Sequence, residues 1–312
     1  MLFRRWANWL GAAALAVFLT GWALEAAVDA QVAEAAKQSV DQESESDQKK
    51  EEHFVRVRNG EDGKPIAMET STTTYTRKME DGTTLQVDLI GVVHIGEKQY
   101  YKDFNKQFEK YDALLYELVA PKGTKISDRD DSGMNPVAAL QKGMMSALGL
   151  NFQLEHIDYD AKNFVHADMS PTEFSESMSK NNESLTKMFF KMLGMSAAMQ
   201  GQTGEAEMLS ALFASGDERK YKLRQTAAKQ LINMDVGMAM WEGDNGSTII
   251  THRNAKAFEV LAEQIEGGRR NIGVFYGAGH LKDMERRLLE DFKMERGEET
   301  WQLAWKLRKD AK

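Results

Sequence analysis

The chain has 312 residues, enough for one large domain or two small ones with a sizeable hydrophobic core. Its net charge of −8 argues against a nucleic-acid-binding surface, which needs a clustered basic face. Cysteine is absent, which excludes disulfides, thiolate metal sites and a cysteine nucleophile. Any transition-metal site must therefore use the six histidines and the carboxylates, and this ligand set suits Zn, Mn, Co or Fe(II).

Residues 1–30 have the pattern of an export signal. Arg4 and Arg5 precede a largely apolar stretch from Ala7 to Leu24, and small residues that permit cleavage follow it. Because this stretch is close to the length that spans a bilayer, an uncleaved membrane anchor is the alternative. We therefore predict an exported protein, periplasmic or extracellular, or one that meets the membrane only through this segment. Residues 31–52 are polar and acidic, with too few apolar side chains to offset ordering entropy, and are predicted to be a disordered linker.

The globular domain, residues 53–312, opens with a predicted hairpin and helix. Thr72 to Lys78 is rich in β-branched residues, and the Asp-Gly pair at 81–82 is a strong turn signal. The return strand runs from Leu85 to Val93. Glu97 to Tyr111 carries aromatic residues at helical spacing, which predicts a helix packed against the sheet.

Two apolar runs end in the same short pattern. Gly91-Val92-Val93-His94 ends the return strand, and Gly277-Ala278-Gly279-His280 ends a run that begins at Ile272. Glycine lets the backbone turn sharply, and the carboxyl ends of strands in α/β sheets commonly bind ligands. A lone histidine at a strand end is more often structural. The repetition predicts that His94 and His280 share one functional site, as metal ligands or a general base.

A third apolar run, Ala113 to Val119, contains one carboxylate, Glu117. A carboxylate inside a buried strand is unfavourable unless it has a partner. We predict that Glu117 lies at the rim of the sheet beside His94, as a metal ligand or general base. The alternative is an outward-facing residue at a fraying strand end.

The middle of the chain offers further polar side chains and a long helical pattern. Asp158, His166 and Asp168 either add carboxylate and imidazole groups to the site or anchor loop backbone. The Ser-Pro-Thr-Glu run at 170–173 has the N-cap, first-turn proline and capping box of a helix start. Residues 171–243 are rich in methionine and mainly helical in pattern, and are predicted to form a helical insertion that caps the site.

The last part of the chain returns to the sheet. Residues 248–265 are predicted to be a helix, and Arg253 near its start can bind a carboxylate, either a substrate's or that of Glu117, unless it is a surface arginine. A further helix follows His280, and the alternating run Trp301 to Leu307 predicts an edge strand. The order of elements predicts an α/β fold with a central mixed β-sheet packed by helices.

Four sequence landmarks carry a resemblance to a known family. They are Gly91-Val92-Val93-His94, Tyr116-Glu117-Leu118, Arg253-Asn254 and the run Tyr276 to Leu281. In order and spacing they resemble the TraB/PrgY/GumN family, which includes the Tiki metalloproteases, and more distantly the erythromycin-esterase/ChaN-like proteins. The resemblance covers about residues 72–119 and 248–292. Val92 departs from the common form of the first motif, in which a threonine or serine often stands.

The resemblance implies an α/β core in which both Gly-x-x-His motifs form one site. For the Tiki branch it implies peptide hydrolysis that depends on a divalent metal, here Mn, Co or Zn. By position, His94 and His280 would be metal ligands, Glu117 the acidic catalytic residue, and Arg253 the site cation with Asn254 supporting it. The expected function is an exported metal-dependent hydrolase of a peptide or small-molecule substrate. A non-catalytic cell-envelope protein that binds a peptide or small ligand is the alternative.

Overall fold

The structure is a computed structural model that describes residues 54–124, 143, 145–184, 214–239 and 246–309. The predicted export or anchor segment, the predicted linker and the middle of the predicted helical insertion lie outside these residues. Within the described ranges, no helix combines the length and the apolar character needed to cross a membrane.

Most strands belong to one mixed sheet. It contains seven strands, which are β1 (Val55–Asn59), β2 (Pro65–Lys78), β3 (Thr84–Val92), β5 (Ala113–Tyr116), β7 (Phe164–His166), β8 (Asn271–Gly277) and β9 (Glu295–Lys306). The remaining two, β4 (Ile95–Gly96) and β6 (Asn151–Phe152), pair with each other as a short antiparallel ladder beyond the end of β3.

The sheet has an antiparallel half and a parallel half that meet at β3. The long strand β2 pairs antiparallel with β1 and then β3 along one edge, and with β9 along the other. From β3 onward, β8, β5 and β7 follow in parallel. Parallel strands bring their carboxyl ends to one side of a sheet, the usual position of a ligand site in α/β folds. This sheet therefore places the residues after β3, β5, β7 and β8 along one edge.

Five helices are described in addition to the sheet, together with short 3-10 segments at Gln153–Glu155 and Ala278–His280. They are α1 (Lys98–Phe108), α2 (Pro171–Lys180), α3 (Gly216–Ala239), α4 (Arg253–Glu266) and α5 (Leu281–Glu290). Residues of α1 and α3 pack in one hydrophobic cluster, and residues of α4 and α5 in a second cluster on the opposite face. The described core is thus three layers, helix on sheet on helix.

Strand β3 has apolar side chains on both faces of the sheet, and helices cover both faces. Leu85, Val87 and Leu89 belong to the cluster under α4 and α5, whereas Ile90 and Val92 belong to the cluster under α1. Alternate side chains of a strand point to opposite faces, so a strand covered on both faces can have apolar residues at consecutive positions, as at Leu89 and Ile90. The predicted α/β fold, with a mixed central sheet packed by helices, is confirmed.

Two local sequence motifs adopt the structures that they predicted. The Asp-Gly pair forms the β2–β3 turn, in which Gly82 has a φ of +81°, a conformation that glycine adopts without strain. Ser170 and Glu173 form a complete capping box at the start of α2. The start of α4 differs from the predicted helix over residues 248–265. Residues Thr248–His252 form a π-helical turn, and the α-helix begins only at Arg253.

The two described ends of the predicted insertion lie in different places. Helix α2 follows β7 directly, and Ser177 hydrogen bonds to Thr248 in the π turn before Arg253. Helix α3 packs against β1 and β9 in the antiparallel half, where the buried Arg224 binds Glu97 and the Lys306 carbonyl. Residues 185–213, between these two helices, lie outside the described part, so the capping role stays a prediction.

Candidate functional site at the carboxyl edge of the parallel strands

Three strand ends deliver polar groups to one place. Glu117 follows β5 directly, and its Oε2 accepts a hydrogen bond of 2.8 Å from the backbone N–H of Gly277, the last residue of β8. His280 Nε2 lies 3.5 Å from Glu117 Oε1. His94 follows β3 and is exposed to solvent, whereas His280 is buried and Glu117 largely so. The two Gly-x-x-His segments and Glu117 therefore meet at the same edge, with His94 on the solvent side.

Gly277 leaves a small space at the centre of this group. A methyl group on its Cα would lie 3.2 Å from Glu117 Oε2, 3.7 Å from His280 Cδ2 and 3.9 Å from His94 Nε2. All three side chains therefore border the volume that the missing side chain leaves open. Gly91 serves a different purpose, since a methyl group there would meet Leu281 Cδ2 and the Ser71 carbonyl oxygen, each at 3.3 Å. It allows close packing behind the site.

Arg253 joins two carboxylates in the interior. Its Nη2 donates to Glu117 Oε1 at 2.7 Å and to Asp168 Oδ2 at 2.5 Å, while its Nε donates to Asp168 Oδ1 at 2.9 Å. The arrangement with Asp168 is the two-pronged geometry that makes guanidinium–carboxylate pairs strong. Asp168 follows β7, so all four parallel strands contribute to the cluster. Two buried carboxylates against one guanidinium leave one negative charge in excess.

The charges of the cluster are fixed by its own members. Burial by itself would raise the pKa of Glu117, but the positive charge of Arg253 holds that pKa well below its ordinary range. Burial would lower the pKa of Arg253, but Asp168 and Glu117 raise it. Burial and the negative charge of Asp168 raise the pKa of Tyr276, which donates to the Ala167 carbonyl. At neutral pH Glu117 is a carboxylate and Arg253 is a cation.

Asn254 orients His280. Its Oδ1 lies 2.7 Å from His280 Nδ1, and its Nδ2 donates to the His280 carbonyl at 3.0 Å and to Asp283 Oδ2 at 2.9 Å. The family resemblance implied that Asn254 supports Arg253. Its hydrogen bonds go instead to His280 and Asp283, because the side chain leaves the first turn of α4 toward α5.

Gln153 orients His94 in a similar way. Its Oε1 lies 2.9 Å from His94 Nδ1, and its Nε2 donates to the Tyr159 hydroxyl at 2.6 Å. The backbone N–H of Gln153 also donates to the His94 carbonyl at 2.9 Å. Sequence reasoning missed both Gln153 and Asp283. Gln153 is 59 residues from His94 and lies in the short 3-10 segment Gln153–Glu155. A single glutamine at such a position matches no motif that would identify it as a site residue.

The remaining candidate residues lie apart from this cluster. Asp158 is exposed, and its backbone N–H donates to Asn105 while its Oδ1 accepts from the backbone of Asp160. His166 Nε2 bonds to the Leu118 carbonyl at 2.6 Å. Both residues therefore fit the loop-anchoring alternative, and among the three candidates from this stretch only Asp168 joins the cluster.

The donor chemistry of the cluster suits a divalent cation. The Nε2 of His94, the ring edge of His280 and the carboxylate of Glu117 border the Gly277 space, and imidazole and carboxylate are ligand types of Zn, Mn and Co. In the described part of the chain, however, no three His, Asp or Glu side chains already stand in a metal-coordinating arrangement. His280 and Glu117 are therefore the closest pair of candidate ligands, and His94 lies further out.

No family model matches the chain, and no curated protein or solved structure shows significant similarity to it. The resemblance to the TraB/PrgY/GumN family therefore stays a prediction. The geometry of the cluster is the remaining indication of function.

Proposed function

We propose that the chain is an exported, divalent-metal-dependent hydrolase that cleaves peptides at the carboxyl edge of its parallel strands. The observation that carries this proposal is the excess negative charge of the buried Asp168–Arg253–Glu117 group, which faces His280 Nε2 at 3.5 Å. A buried uncompensated charge is unfavourable unless a counter-charge binds beside it. A divalent cation, if held by Glu117 and the histidines, would supply that counter-charge.

The spacing of the ligands supports the same proposal. Two ligands that each lie about 2.1 Å from one tetrahedral ion are about 3.4 Å apart. The separation of 3.5 Å between His280 Nε2 and Glu117 Oε1 agrees with that value. His94 is the third candidate ligand, and an open fourth position is the hallmark of catalytic sites. When bound, the metal polarises the scissile carbonyl and lowers the pKa of a bound water.

The residues of the chain have separate tasks in this proposal. Glu117 is ionised and is held by Arg253 and by the Gly277 N–H, so one carboxylate stays aimed at the Gly277 space. Arg253 keeps its proton and therefore acts as a fixed cation, not as a base. His94 is exposed and His280 buried, so a substrate approaches from the His94 side. Asp168 accepts two hydrogen bonds from Arg253 and acts by holding the guanidinium in place.

A non-catalytic binding protein is the second candidate, and one observation favours it. The described residues contain no ready-made group of three metal ligands. An ammonium or guanidinium group of a peptide would satisfy the same excess negative charge without turnover. This candidate predicts binding of a cationic peptide that does not need metal.

The first experiment is metal analysis of the purified full chain. The protein is stripped with a chelator, refilled separately with Mn²⁺, Co²⁺ or Zn²⁺, and measured by inductively coupled plasma mass spectrometry. We expect about one ion per chain in the parent and none in Glu117→Gln or in a His94→Ala/His280→Ala double variant. Asp88→Asn is the matched control, because it removes another buried carboxylate of the same sheet and should keep the metal.

Hydrolysis is then tested with a peptide library in the metal-loaded and the stripped protein. Cleavage that requires metal and disappears in Glu117→Gln supports the hydrolase. A folded parent that takes up no metal from any of the three solutions would overturn it. Metal-independent binding of cationic peptides without cleavage would establish the second candidate instead.

A further inference from the structure

The amide of Asn254 can face His280 in only one way. Its NH₂ group lies between the His280 carbonyl oxygen and Asp283 Oδ2, and neither group can donate a hydrogen bond. The amide oxygen is therefore the atom that faces His280 Nδ1 at 2.7 Å. An oxygen accepts, so Nδ1 must carry the proton. In its neutral form His280 then has its lone pair on Nε2, the nitrogen that faces Glu117.

Gln153 gives His94 the same protonation pattern. Its NH₂ group donates to the Tyr159 hydroxyl, and its amide oxygen lies 2.9 Å from His94 Nδ1. A hydroxyl both donates and accepts, so the amide orientation of Gln153, unlike that of Asn254, depends on the direction of this bond. The proton of neutral His94 is then on Nδ1. Its Nε2, which borders the Gly277 space, has the lone pair.

We infer that Gln153 and Asp283 are positioning residues that keep His94 and His280 in the same tautomer, with the Nε2 lone pair of His280 facing Glu117 and that of His94 at the Gly277 space. Gln153 acts directly on His94, and Asp283 acts through the amide of Asn254. This inference rests on the proposed function for its catalytic meaning, since a divalent cation needs unprotonated nitrogens. Hydrogen-bond partners of this kind fix the orientation and tautomer of metal-binding histidines.

His166 provides a natural reference on the same edge of the sheet. Its Nε2 faces the Leu118 carbonyl at 2.6 Å, and a carbonyl can only accept. Neutral His166 must therefore carry its proton on Nε2, the opposite tautomer. An unconstrained imidazole in water also prefers the proton on Nε2, so the Nδ1–H form at two neighbouring positions requires specific partners.

The test is nuclear magnetic resonance of the metal-free full chain labelled with ¹⁵N-histidine. Long-range ¹H–¹⁵N correlations separate the two tautomers, and single His→Gln variants assign the rings. At a pH at which the rings are neutral, we expect Nδ1–H for His94 and His280 and Nε2–H for His166. An Nε2–H ring at either His94 or His280 in the parent would overturn the inference for that histidine without any variant.

Matched variants separate positioning from folding. Gln153→Met removes the acceptor with little change in shape and should move His94 to the Nε2–H form, while His280 and His166 stay unchanged. Gln153→Glu keeps an acceptor and should retain the parent tautomer. Asp283→Ala should affect His280 alone. We expect Gln153→Met to weaken metal binding about 10- to 100-fold and Gln153→Glu to preserve it.

The outcomes distinguish this inference from the proposed function. If the tautomers are as stated but the parent binds no metal, the hydrolase fails and the positioning role stands. If the parent binds metal and Gln153→Met keeps both the Nδ1–H form and the full affinity, the positioning role of Gln153 fails and the hydrolase stands.

Discussion

The parallel half of the sheet buries a carboxylate near each of its two ends, and the two are satisfied differently. Asp88, at the level where β5 begins, is 1% exposed. Its Oδ1 accepts from Thr74 and Gln86, and its Oδ2 accepts from Lys110 and Tyr111. Each carboxylate oxygen has room for about two donors, so Asp88 is saturated.

Glu117, at the opposite end, is not saturated in the same way. Its Oε1 accepts from Arg253 and its Oε2 accepts from the Gly277 N–H. The neighbour that remains is His280, whose Nε2 lies at the longer distance of 3.5 Å from Oε1. Asp88 shows that burial of a carboxylate does not by itself indicate a functional site. Glu117 differs in its spare acceptor capacity beside imidazoles, and the proposed site depends on that difference.

The largest difference in stability should come from removing the cation beside each buried carboxylate, Arg253 beside Glu117 and Lys110 beside Asp88. Arg253→Met leaves Glu117 and Asp168 buried without a counter-charge, and we expect the free energy of unfolding to fall by about 3–5 kcal/mol. Lys110→Met removes a side chain that is 49% exposed and leaves Asp88 three other donors, so we expect a loss of about 0–1 kcal/mol. Urea denaturation of both variants measures this. Similar losses would refute the idea that the ends differ.

Two glycines of β8 give the next contrast. A methyl group on Gly273 would lie 2.5 Å from Leu114 Cδ1 and 2.9 Å from the Tyr111 ring, so Gly273→Ala should destabilise by about 1–3 kcal/mol. Gly277 has a φ of −50°, which alanine also adopts, and its nearest neighbour is Glu117 Oε2 at 3.2 Å. Gly277→Ala should therefore change stability by less than about 1 kcal/mol.

The two glycine variants should differ in the opposite direction in metal affinity, with the larger loss in Gly277→Ala. Gly277→Ala fills the space bordered by Glu117 and both histidines, whereas Gly273 lies away from it. Calorimetric titration with Mn²⁺ or Zn²⁺ should show a large loss of affinity for Gly277→Ala and parent-like affinity for folded Gly273→Ala. Undiminished binding by Gly277→Ala would separate the Gly277 space from the metal site.

The smallest expected effect is the acid dependence of stability. The folded-state pKa of Glu117 lies below its unfolded value of about 4.3. Its charged form therefore contributes stability that is fully present above that value and is lost as the pH falls through the folded-state pKa. The stability advantage of the parent over Glu117→Gln should shrink below about pH 4. Chemical denaturation of both proteins from neutral to acidic pH checks this, and a constant difference would contradict it.

The sequence by itself determined the strand ends that carry the cluster. Apolar runs that end at His94 and His280, and a third that contains Glu117, predicted that these residues lie on one edge, because strand ends in α/β sheets commonly meet at a ligand site. The hairpin turn at Gly82 and the capping box of α2 are also local, since turn and cap chemistry depends on a few neighbouring residues.

Only the tertiary structure decided which side chains complete the cluster. Asp168 pairs with Arg253 across 85 residues, whereas His166, two positions earlier on the same strand exit, turns to a carbonyl. Gln153 reaches His94 from the 3-10 segment Gln153–Glu155, and Asp283 in the first turn of α5 binds Asn254, which in turn contacts His280. Hydrophobic periodicity fixes which face of an element is buried, but hydrogen-bond partners depend on how loops and helix ends meet in space. These contacts exist only once the three layers are packed.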